Sequence, residues 1–149
     1  QIRRVLRWFL VAEDQGQIIG CGSNVELTPQ LTELRSLAVA PEYRSTGLGR
    51  RLVEALVARA RSDDYDQICA LTLSEGFFNS CGFVTVDRWA ISPKIWHECI
   101  YCPKFDACDE IAVLMNLTEA ETAPKPIAPE VVLEMWQGLR LGLGRAGGR

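Results

Sequence analysis

A glycine-containing segment in the first third of the chain has the composition of an anion-binding turn. It reads Arg-Ser-Thr-Gly-Leu-Gly at 44–49 and lies between an apolar strand pattern and an amphipathic helix pattern. The first backbone N–H groups of a helix have no partner within it, and the helix dipole favours a negative charge there. Because glycine also lets a ligand approach the backbone closely, the segment predicts a phosphate-binding turn.

Two familiar nucleotide-binding motifs do not fit this segment. A P-loop needs Gly-Lys followed by Ser or Thr, and a dinucleotide-binding fingerprint needs a third glycine where Leu52 stands. The alternatives that remain are another kind of phosphate site and an ordinary glycine-rich connection between a strand and a helix.

The elements around this turn predict an α/β (α+β) fold with a mixed, mostly antiparallel sheet flanked by helices. Residues 8–13 and 17–27 form a hairpin pattern, 31–39 a third strand, and 48–61 an amphipathic helix with apolar residues at helical spacing. The nearly all-apolar run 67–73 predicts a strand covered on both faces, so a strand-helix-strand crossover is implied. A short helix from 74 to 81 with Gly82 as its C-terminal cap and strands at 83–86 and 110–117 complete the pattern.

Composition restricts the kind of protein. The chain has 149 residues, 48% of them hydrophobic and 23% charged, with a net charge of -3, which is typical of one globular domain. The slightly negative charge argues against a nucleic-acid-binding or membrane-surface protein. No apolar stretch is long enough to cross a bilayer and the start lacks the layout of a signal peptide, so we expect a cytoplasmic protein.

The composition changes after residue 118. Pro124, Pro126 and Pro129 predict a semi-rigid linker, and an apolar stripe from Val132 to Leu143 predicts an amphipathic helix. We therefore expect a core at 1–118 and a linker with a C-terminal helix or tail at 119–149. Since a short isolated helix is marginal in water, this stripe needs a surface to cover it, and a homodimer is one arrangement that provides it.

The turn at 44–49, with the preceding Leu-Ala-Val-Ala-Pro-Glu-Tyr at 37–43, resembles the pyrophosphate loop of the GNAT acyl-CoA N-acetyltransferases. Phe-Asn-Ser-Cys-Gly-Phe at 78–83 resembles a later signature of that family, and the resemblance extends from about residue 8 to 117. It implies the GNAT fold and an acetyl-CoA cosubstrate. The residues it implies in acetyl-CoA binding are Leu37, Ala38, Val39, Arg44, Ser45, Thr46, Gly47, Leu48, Gly49, Arg50, Phe78 and Asn79.

The same resemblance gives roles to two charged residues of the third strand. Glu33 stands where several family members have a general base, which is needed because an ammonium group must lose a proton before it attacks a thioester. The alternative for Glu33 is a surface carboxylate on an edge strand. Arg35 is a candidate to bind a substrate carboxylate, or to pair with Glu33 or Glu26. Strand alternation predicts that Glu33 and Arg35 share one face with Leu37 and Val39.

Two features depart from the family pattern. Many members have a tyrosine in the short helix before Gly-Phe as general acid for the departing thiolate, whereas this chain has Phe77 and Phe78. The family also begins with a strand and one or two helices before the hairpin, whereas only residues 1–7 precede it here. We therefore expect the N-terminal elements to be shortened.

A narrower resemblance concerns the acceptor. Residues 92–110 resemble the tail of short bacterial N-acetylglutamate synthases, which implies transfer of an acetyl group to the α-amino group of glutamate, the first step of arginine biosynthesis. Two alternatives stay open. The acceptor could be another amine, such as a protein N-terminus, a polyamine or an antibiotic, or the chain could be a non-catalytic acyl-CoA-binding module.

The same segment contains a cluster of metal-ligand residue types. His97, Cys99, Cys102 and Cys108 would suffice for a Cys3His zinc site, but their spacing is not the usual one for such sites. We expect reduced thiols and no bound metal, with zinc or a redox disulfide as alternatives.

Overall fold

The computed structural model describes residues 8–118, which form a six-stranded sheet with three α-helices around it. The predicted linker and C-terminal helix at 119–149, and with them the basis for a homodimer, lie outside these residues. The strands are β1 (Phe9–Asp14), β2 (Gln17–Glu26), β3 (Leu31–Val39), β4 (Gln67–Thr72), β5 (Val84–Thr85) and β6 (Ile111–Asn116). The helices are α1 (Leu48–Ser62), α2 (Glu75–Ser80) and α3 (Ser92–His97).

The sheet has the strand order β1-β2-β3-β4-β6-β5 and is antiparallel everywhere except between β3 and β4. β1 and β2 form the predicted hairpin, and α1 is the crossover that joins the parallel pair β3 and β4. The predicted α/β fold with a mixed, mostly antiparallel sheet is therefore confirmed.

Helix α1 packs its apolar stripe against the sheet. Its buried residues are Leu52, Val53, Leu56, Val57 and Ala60, as the helical spacing predicted. The side-chain amide of the buried Asn24 on β2 donates a 2.8 Å hydrogen bond to the backbone carbonyl of Leu56. This bond ties the middle of α1 to β2.

The two parallel strands stay together over only three residue pairs. Leu31, Thr32 and Glu33 pair with Gln67, Ile68 and Cys69, and the pairing of these strands ends there. The part of β3 that follows Glu33 keeps its pairing with β2 but separates from β4. A notch consequently opens in the middle of the sheet, directly after Glu33.

An irregularity in β3 corrects one prediction about its faces. Arg35 pairs with Ser23 and Ala38 with Cys21, so two residues of β3, Ser36 and Leu37, lie opposite a single residue of β2. Ser36 has a φ of 54°. Such a bulge adds one residue to the strand and reverses the alternation beyond it.

The consequence is that Glu33 and Arg35 do not share a face with Leu37 and Val39. An added Cβ on Gly22 would meet Leu56 of α1 at 2.7 Å and Leu37 at 3.4 Å, which puts Leu37 on the helix side. The predicted common face is therefore wrong, because strict alternation does not anticipate a bulge.

The short helix α2 ends as predicted. Gly82 has a φ of 95°, its N–H donates to Asn79, and the N–H of Phe83 donates to the carbonyl of Phe78 at 3.2 Å. These two bonds are those of a Schellman motif, in which glycine readily takes the left-handed conformation. The strand that follows is shorter than predicted, since only Val84–Thr85 pair with β6.

Residues 88–107 contain helical structure that the sequence pattern did not predict. Single 3₁₀ turns at Arg88–Ile91, Cys99–Tyr101 and Phe105–Ala107 surround helix α3. Pro93 lies in the first turn of α3, where its missing N–H costs nothing. Among residues 8–118, no helix has the length and apolar character needed to cross a membrane.

Candidate functional site

The turn before α1 leaves the first N–H groups of the helix without side-chain partners. Gly47 is the N-cap residue in the left-handed region, with a φ of 86°, and no side chain caps this end. The first helical bond that closes over the turn runs from the N–H of Arg51 to the carbonyl of Gly47 at 3.1 Å. The N–H groups of the first turn are therefore free to bind an anion.

This turn forms one wall of a cleft of about 680 Å³, here called the loop cleft. The residues that line it are Leu37, Ala38, Val39, Tyr43, Arg44, Ser45, Gly47, Gly49, Arg50, Ser74 and Phe77. Eight of the twelve residues predicted to bind acetyl-CoA belong to this lining. Tyr43, Ser74 and Phe77 are additional residues that sequence reasoning did not include.

The other four predicted residues lie elsewhere. Thr46 stabilises the turn from within, because its hydroxyl donates a 2.6 Å hydrogen bond to the carbonyl of Tyr43. Leu48 lies on the other side of the helix start, in a separate cavity with Leu52. Phe78 is 5% exposed in the core, and Asn79 bonds to Thr85.

Two arginines border the loop cleft and are already engaged. The Nε of Arg44 donates to the carbonyl of Val39 at 3.3 Å. The guanidinium of Arg50 donates to the carbonyl and hydroxyl of Ser80 at 2.7 and 3.0 Å. Arg50 thus ties the start of α1 to the end of α2, and Arg44 ties the turn to β3.

A second cleft of about 580 Å³, here called the charged pocket, lies where β3 and β4 separate. Its lining residues are Glu33, Leu34, Arg35, Ser36, Leu37, Leu71, Thr72, Leu73, Ser74, Phe77, Phe78, Lys94 and Glu110. Leu37, Ser74 and Phe77 line both clefts. The two clefts are therefore neighbours along the separated part of β3.

Glu33 is buried at the inner end of the charged pocket. It is 4% exposed and lies on a strand with neighbours on both sides. The alternative of a surface carboxylate on an edge strand is therefore wrong. Its Oε2 accepts from Arg35 Nε and lies 3.1 Å from Lys94 Nζ.

The same two cations also bind Glu98. Arg35 Nη2 donates to Glu98 Oε1 at 2.5 Å, and Lys94 Nζ donates to Glu98 Oε2 at 2.7 Å. Glu33, Arg35, Glu98 and Lys94 thus form a closed ring of alternating charge, here called the charge ring. Pairing of Arg35 with Glu33 was one of the predicted alternatives and is confirmed; Glu26 instead accepts from Tyr65 at 3.0 Å.

The charge ring favours the ionised forms of Arg35 and Glu98. Burial works to lower the pKa of Arg35, but the hydrogen bond to Glu98 and the charge of Glu33 outweigh it and raise that pKa. Burial works to raise the pKa of Glu98, but hydrogen bonds from Lys94 and Arg35 outweigh it and lower that pKa. Glu98 is therefore a carboxylate at neutral pH.

Sequence reasoning missed Lys94 and Glu98 because it assigned no helix to this segment. Lys94 is 9% exposed on α3 and Glu98 is its C-cap residue, one helical turn further along. The available signals were Pro93 in a first helical turn and a Lys and Glu four residues apart. Neither signal indicates that these side chains reach β3.

The structure gives no hydroxyl to the position of the expected general acid. Phe77 borders both clefts, and Phe78 packs edge-on against Phe77 and Phe83 with ring centroids 5.4 and 5.3 Å apart. Phe78 and Phe83 belong to the hydrophobic core, and Phe77 packs against it from the clefts.

The three downstream cysteines share a small cavity of about 50 Å³. Cys99, Cys102 and Cys108 line it together with Leu71 and Ile95, among others. Burial raises the pKa of the Cys99 thiol. Within residues 8–118, no three His, Cys, Asp or Glu side chains gather in a way that could hold a metal ion. All six cysteines are free thiols.

Comparison with known sequences identifies the family. A family model described as an acetyltransferase (GNAT) domain matches residues 6–85, more than half of the chain. An uncharacterised N-acetyltransferase of Chlorobaculum tepidum is 42% identical over 112 residues, which are 75% of this chain and 72% of that protein. An amino-acid acetyltransferase of Mycobacterium tuberculosis is 30% identical over 101 residues, 66% of this chain but only 57% of that protein.

Solved structures agree with this on the fold. A Mycobacterium tuberculosis protein in complex with CoA superposes with a TM-score of 0.66 at 22% identity, over 78% of this chain and 80% of that chain. N-acetylglutamate synthase of Neisseria gonorrhoeae, complexed with coenzyme A and N-acetyl-glutamate, gives 0.66 at 20% identity, over 79% of this chain and 27% of that chain. The predicted resemblance is confirmed: the chain belongs to the GNAT family of acetyltransferases.

Proposed function

We propose that the protein transfers the acetyl group of acetyl-CoA to the α-amino group of an amino acid, with glutamate as the acceptor. The observation that carries this proposal is the pair of neighbouring clefts along the separated part of β3. One cleft begins at the uncapped start of α1, and the other ends at the buried carboxylate of Glu33. A donor with a phosphate group and an acceptor with an amine would meet between them.

Acetyl-CoA would lie along β3 in the loop cleft. Its pyrophosphate would accept hydrogen bonds from the N–H groups of the first turn of α1, and its pantetheine arm would follow Leu37, Ala38 and Val39. Because β3 has separated from β4 here, its backbone has amide groups available for an extended ligand. The thioester would then lie near Phe77 and Ser74, where the two clefts meet.

The acceptor would react from the charged pocket. Glu33 takes a proton from the ammonium group, directly or through a water molecule, and the free amine attacks the thioester carbonyl. Backbone N–H groups of the separated β3 segment stabilise the oxyanion. The C–S bond then breaks, CoA leaves as a thiolate, and the thiolate takes up the second proton that the amine nitrogen loses when the amide forms. Since an alkyl thiol has a pKa of about 8.5, the thiolate can leave without a tyrosine at position 77 or 78.

Two observations support glutamate as the acceptor: the names of similar proteins and the positive charges in the pocket. Relatives named amino-acid acetyltransferase are 30% to 35% identical to this chain over 55% to 66% of its length. The pocket also contains Arg35 and Lys94, two cations that suit a substrate with a carboxylate. A polyamine, which carries only positive charge, has no group that would bind them.

The test measures CoA formation from acetyl-CoA with a panel of amines: glutamate, other amino acids, a polyamine, an aminoglycoside and a peptide N-terminus. CoA is quantified by chromatography, because the exposed Cys102 and Cys108 would consume a thiol-reactive dye. We expect turnover with glutamate. Glu33→Gln should lower turnover about 100-fold, which is the effect expected when a general base is removed, with little change in acetyl-CoA affinity.

The matched control is Glu54→Gln on the exposed face of α1, which removes the same charge away from both clefts. It should leave turnover unchanged. Acetyl-CoA binding without turnover on any amine would refute the proposal and favour a non-catalytic acyl-CoA-binding module. Full turnover in Glu33→Gln would remove Glu33 from the mechanism.

A further inference from the structure

The carboxylate of Glu98 is held by two cations, in the way that a protein commonly binds the carboxylate of a ligand. Each of its two oxygens accepts from a different cation, Oε1 from Arg35 at 2.5 Å and Oε2 from Lys94 at 2.7 Å. Arg35 and Lys94 also line the charged pocket. Together the two cations form a clamp for one carboxylate, and Glu98 fills that clamp.

Glu98 is the most exposed member of the ring. Its side chain is 45% exposed, compared with 25% for Arg35, 11% for Lys94 and 5% for Glu33. It lies just after the six-residue helix α3, whereas Glu33 and Arg35 lie on a central strand. Of the two acids that bind the clamp, Glu98 is the one that can turn toward solvent at the lower cost, because water can replace its hydrogen bonds there, whereas Glu33 is buried.

We propose that Glu98 occupies the carboxylate position of the acceptor site, and that the α-carboxylate of the incoming amino acid displaces it from Arg35 and Lys94. This inference rests on the proposed function. It limits the acceptors to amino acids with a free α-carboxylate. Glu98 competes with that carboxylate for Arg35 and Lys94, and a substrate without a carboxylate cannot displace it.

The α-carboxylate fits because the clamp is close to the proposed base. Lys94 Nζ lies 3.1 Å from Glu33 Oε2, so a carboxylate on Lys94 and an amine on Glu33 can belong to one small group of atoms. In an α-amino acid only two carbon atoms separate the amine nitrogen from the carboxylate oxygens. The side-chain carboxylate of glutamate is two bonds further from the amine, so the α-carboxylate is the better match for this short separation.

The charges around the clamp favour the exchange. Glu33 and Glu110 line the charged pocket with Arg35 and Lys94, and Glu98 pairs with both cations, so three acids already accompany two cations. A substrate carboxylate added to this set would be the fourth acid and would lack a partner, which is costly in a partly buried site. If Glu98 turns outward, the incoming carboxylate takes over both of its hydrogen bonds and the number of acids around the two cations does not change.

The test is calorimetric titration of the CoA-saturated chain, which binds an acceptor without turnover. The probes are L-glutamate, L-glutamine and the α-amide of glutamate, which lacks the carboxylate next to its amine. In Glu98→Gln, glutamate and glutamine should bind about two- to fivefold more tightly than to the wild type. This factor corresponds to the free energy of a weak ion pair, which the substrate no longer has to break. The α-amide should gain nothing, and Glu54→Gln should bind all three as the wild type does.

A second variant keeps the test independent of Glu98. Lys94→Gln should weaken glutamate and glutamine binding about tenfold or more and leave the α-amide and CoA affinities unchanged. Equal affinity of the wild type for glutamate and its α-amide, no glutamate binding at all, or an equal gain of acid and amide in Glu98→Gln would each overturn the inference.

These failures are distinct from failure of the proposed function. Turnover on amines with and without a neighbouring carboxylate alike would support the acetyltransferase activity but refute the binding of an α-carboxylate by Arg35 and Lys94. No turnover on any amine would refute the transferase, and the titrations would still decide whether the clamp binds an α-carboxylate.

Discussion

Replacing Gly47 by alanine tests whether the backbone of the turn, rather than any side chain, prepares the start of α1. Gly47 has a φ of 86°, and an added Cβ would meet nothing within 4 Å. Steric overlap therefore contributes nothing to the cost of Gly47→Ala. The cost is that of holding an L residue in the left-handed region, about 1–2 kcal/mol.

Gly49→Ala is the matched control two residues further along. Gly49 is not among the described glycines with positive φ, and its added Cβ would meet Phe77 Cζ at 3.4 Å, an ordinary contact. Because alanine is favoured over glycine in a helix by about 0.5–1 kcal/mol, this variant should be equally or more stable. The same chemical change should thus act in opposite directions at the two positions.

The free energy of unfolding is measured by urea denaturation. The dependence of this free energy on urea concentration, the m-value, should be the same for all variants if unfolding is two-state. Acetyl-CoA affinity is measured by calorimetry. If Gly47→Ala relieves its strain by moving the turn, the N–H groups of the first turn lose their alignment, and affinity should fall about tenfold, which is about 1.4 kcal/mol. Unchanged stability together with unchanged affinity would show that the left-handed turn has no part in binding.

Three further predictions concern stability and reactivity. Asn24→Ala removes the 2.8 Å bond between β2 and α1 and leaves a buried carbonyl with one acceptor position unfilled, so unfolding by urea should require about 1–3 kcal/mol less. Burial, and then the hydrogen bond to Glu26, raises the pKa of Tyr65 to about 12, above its value of about 10 in the unfolded chain. The stability that Tyr65 contributes is complete below pH ~10 and is lost as the pH rises toward 12, and Tyr65→Phe should flatten this loss in alkaline denaturation curves. Burial raises the pKa of the fully buried Cys69 to about 12, so iodoacetamide should label the exposed Cys102 in the native protein and leave Cys69 unmodified, as read by mass spectrometry.

Each of these has a contrary outcome. An Asn24→Ala chain as stable as the wild type would mean that the bond to α1 contributes nothing net. An alkaline stability curve identical for wild type and Tyr65→Phe would show that Tyr65 is not the group that titrates. Labelling of Cys69 as fast as Cys102 would show that β4 opens readily.

The sequence by itself determined the parts of this protein that depend on neighbours along the chain. The glycines at 47 and 49 before an amphipathic stripe specify the left-handed turn and helix α1, because backbone freedom and helical spacing are local properties. The strand pattern and the motif at 37–49 were also sufficient for the fold class and the family.

The tertiary structure alone decided how the charged pocket is built. The bulge at Ser36 separates the face of Glu33 and Arg35 from that of Leu37, because pairing with β2 sets the register. Lys94 and Glu98 complete the charge ring from a helix about sixty residues further along the chain than Glu33. Nothing local to those two residues specifies the contact, since it depends on how the chain after β5 packs across the notch where β3 and β4 separate.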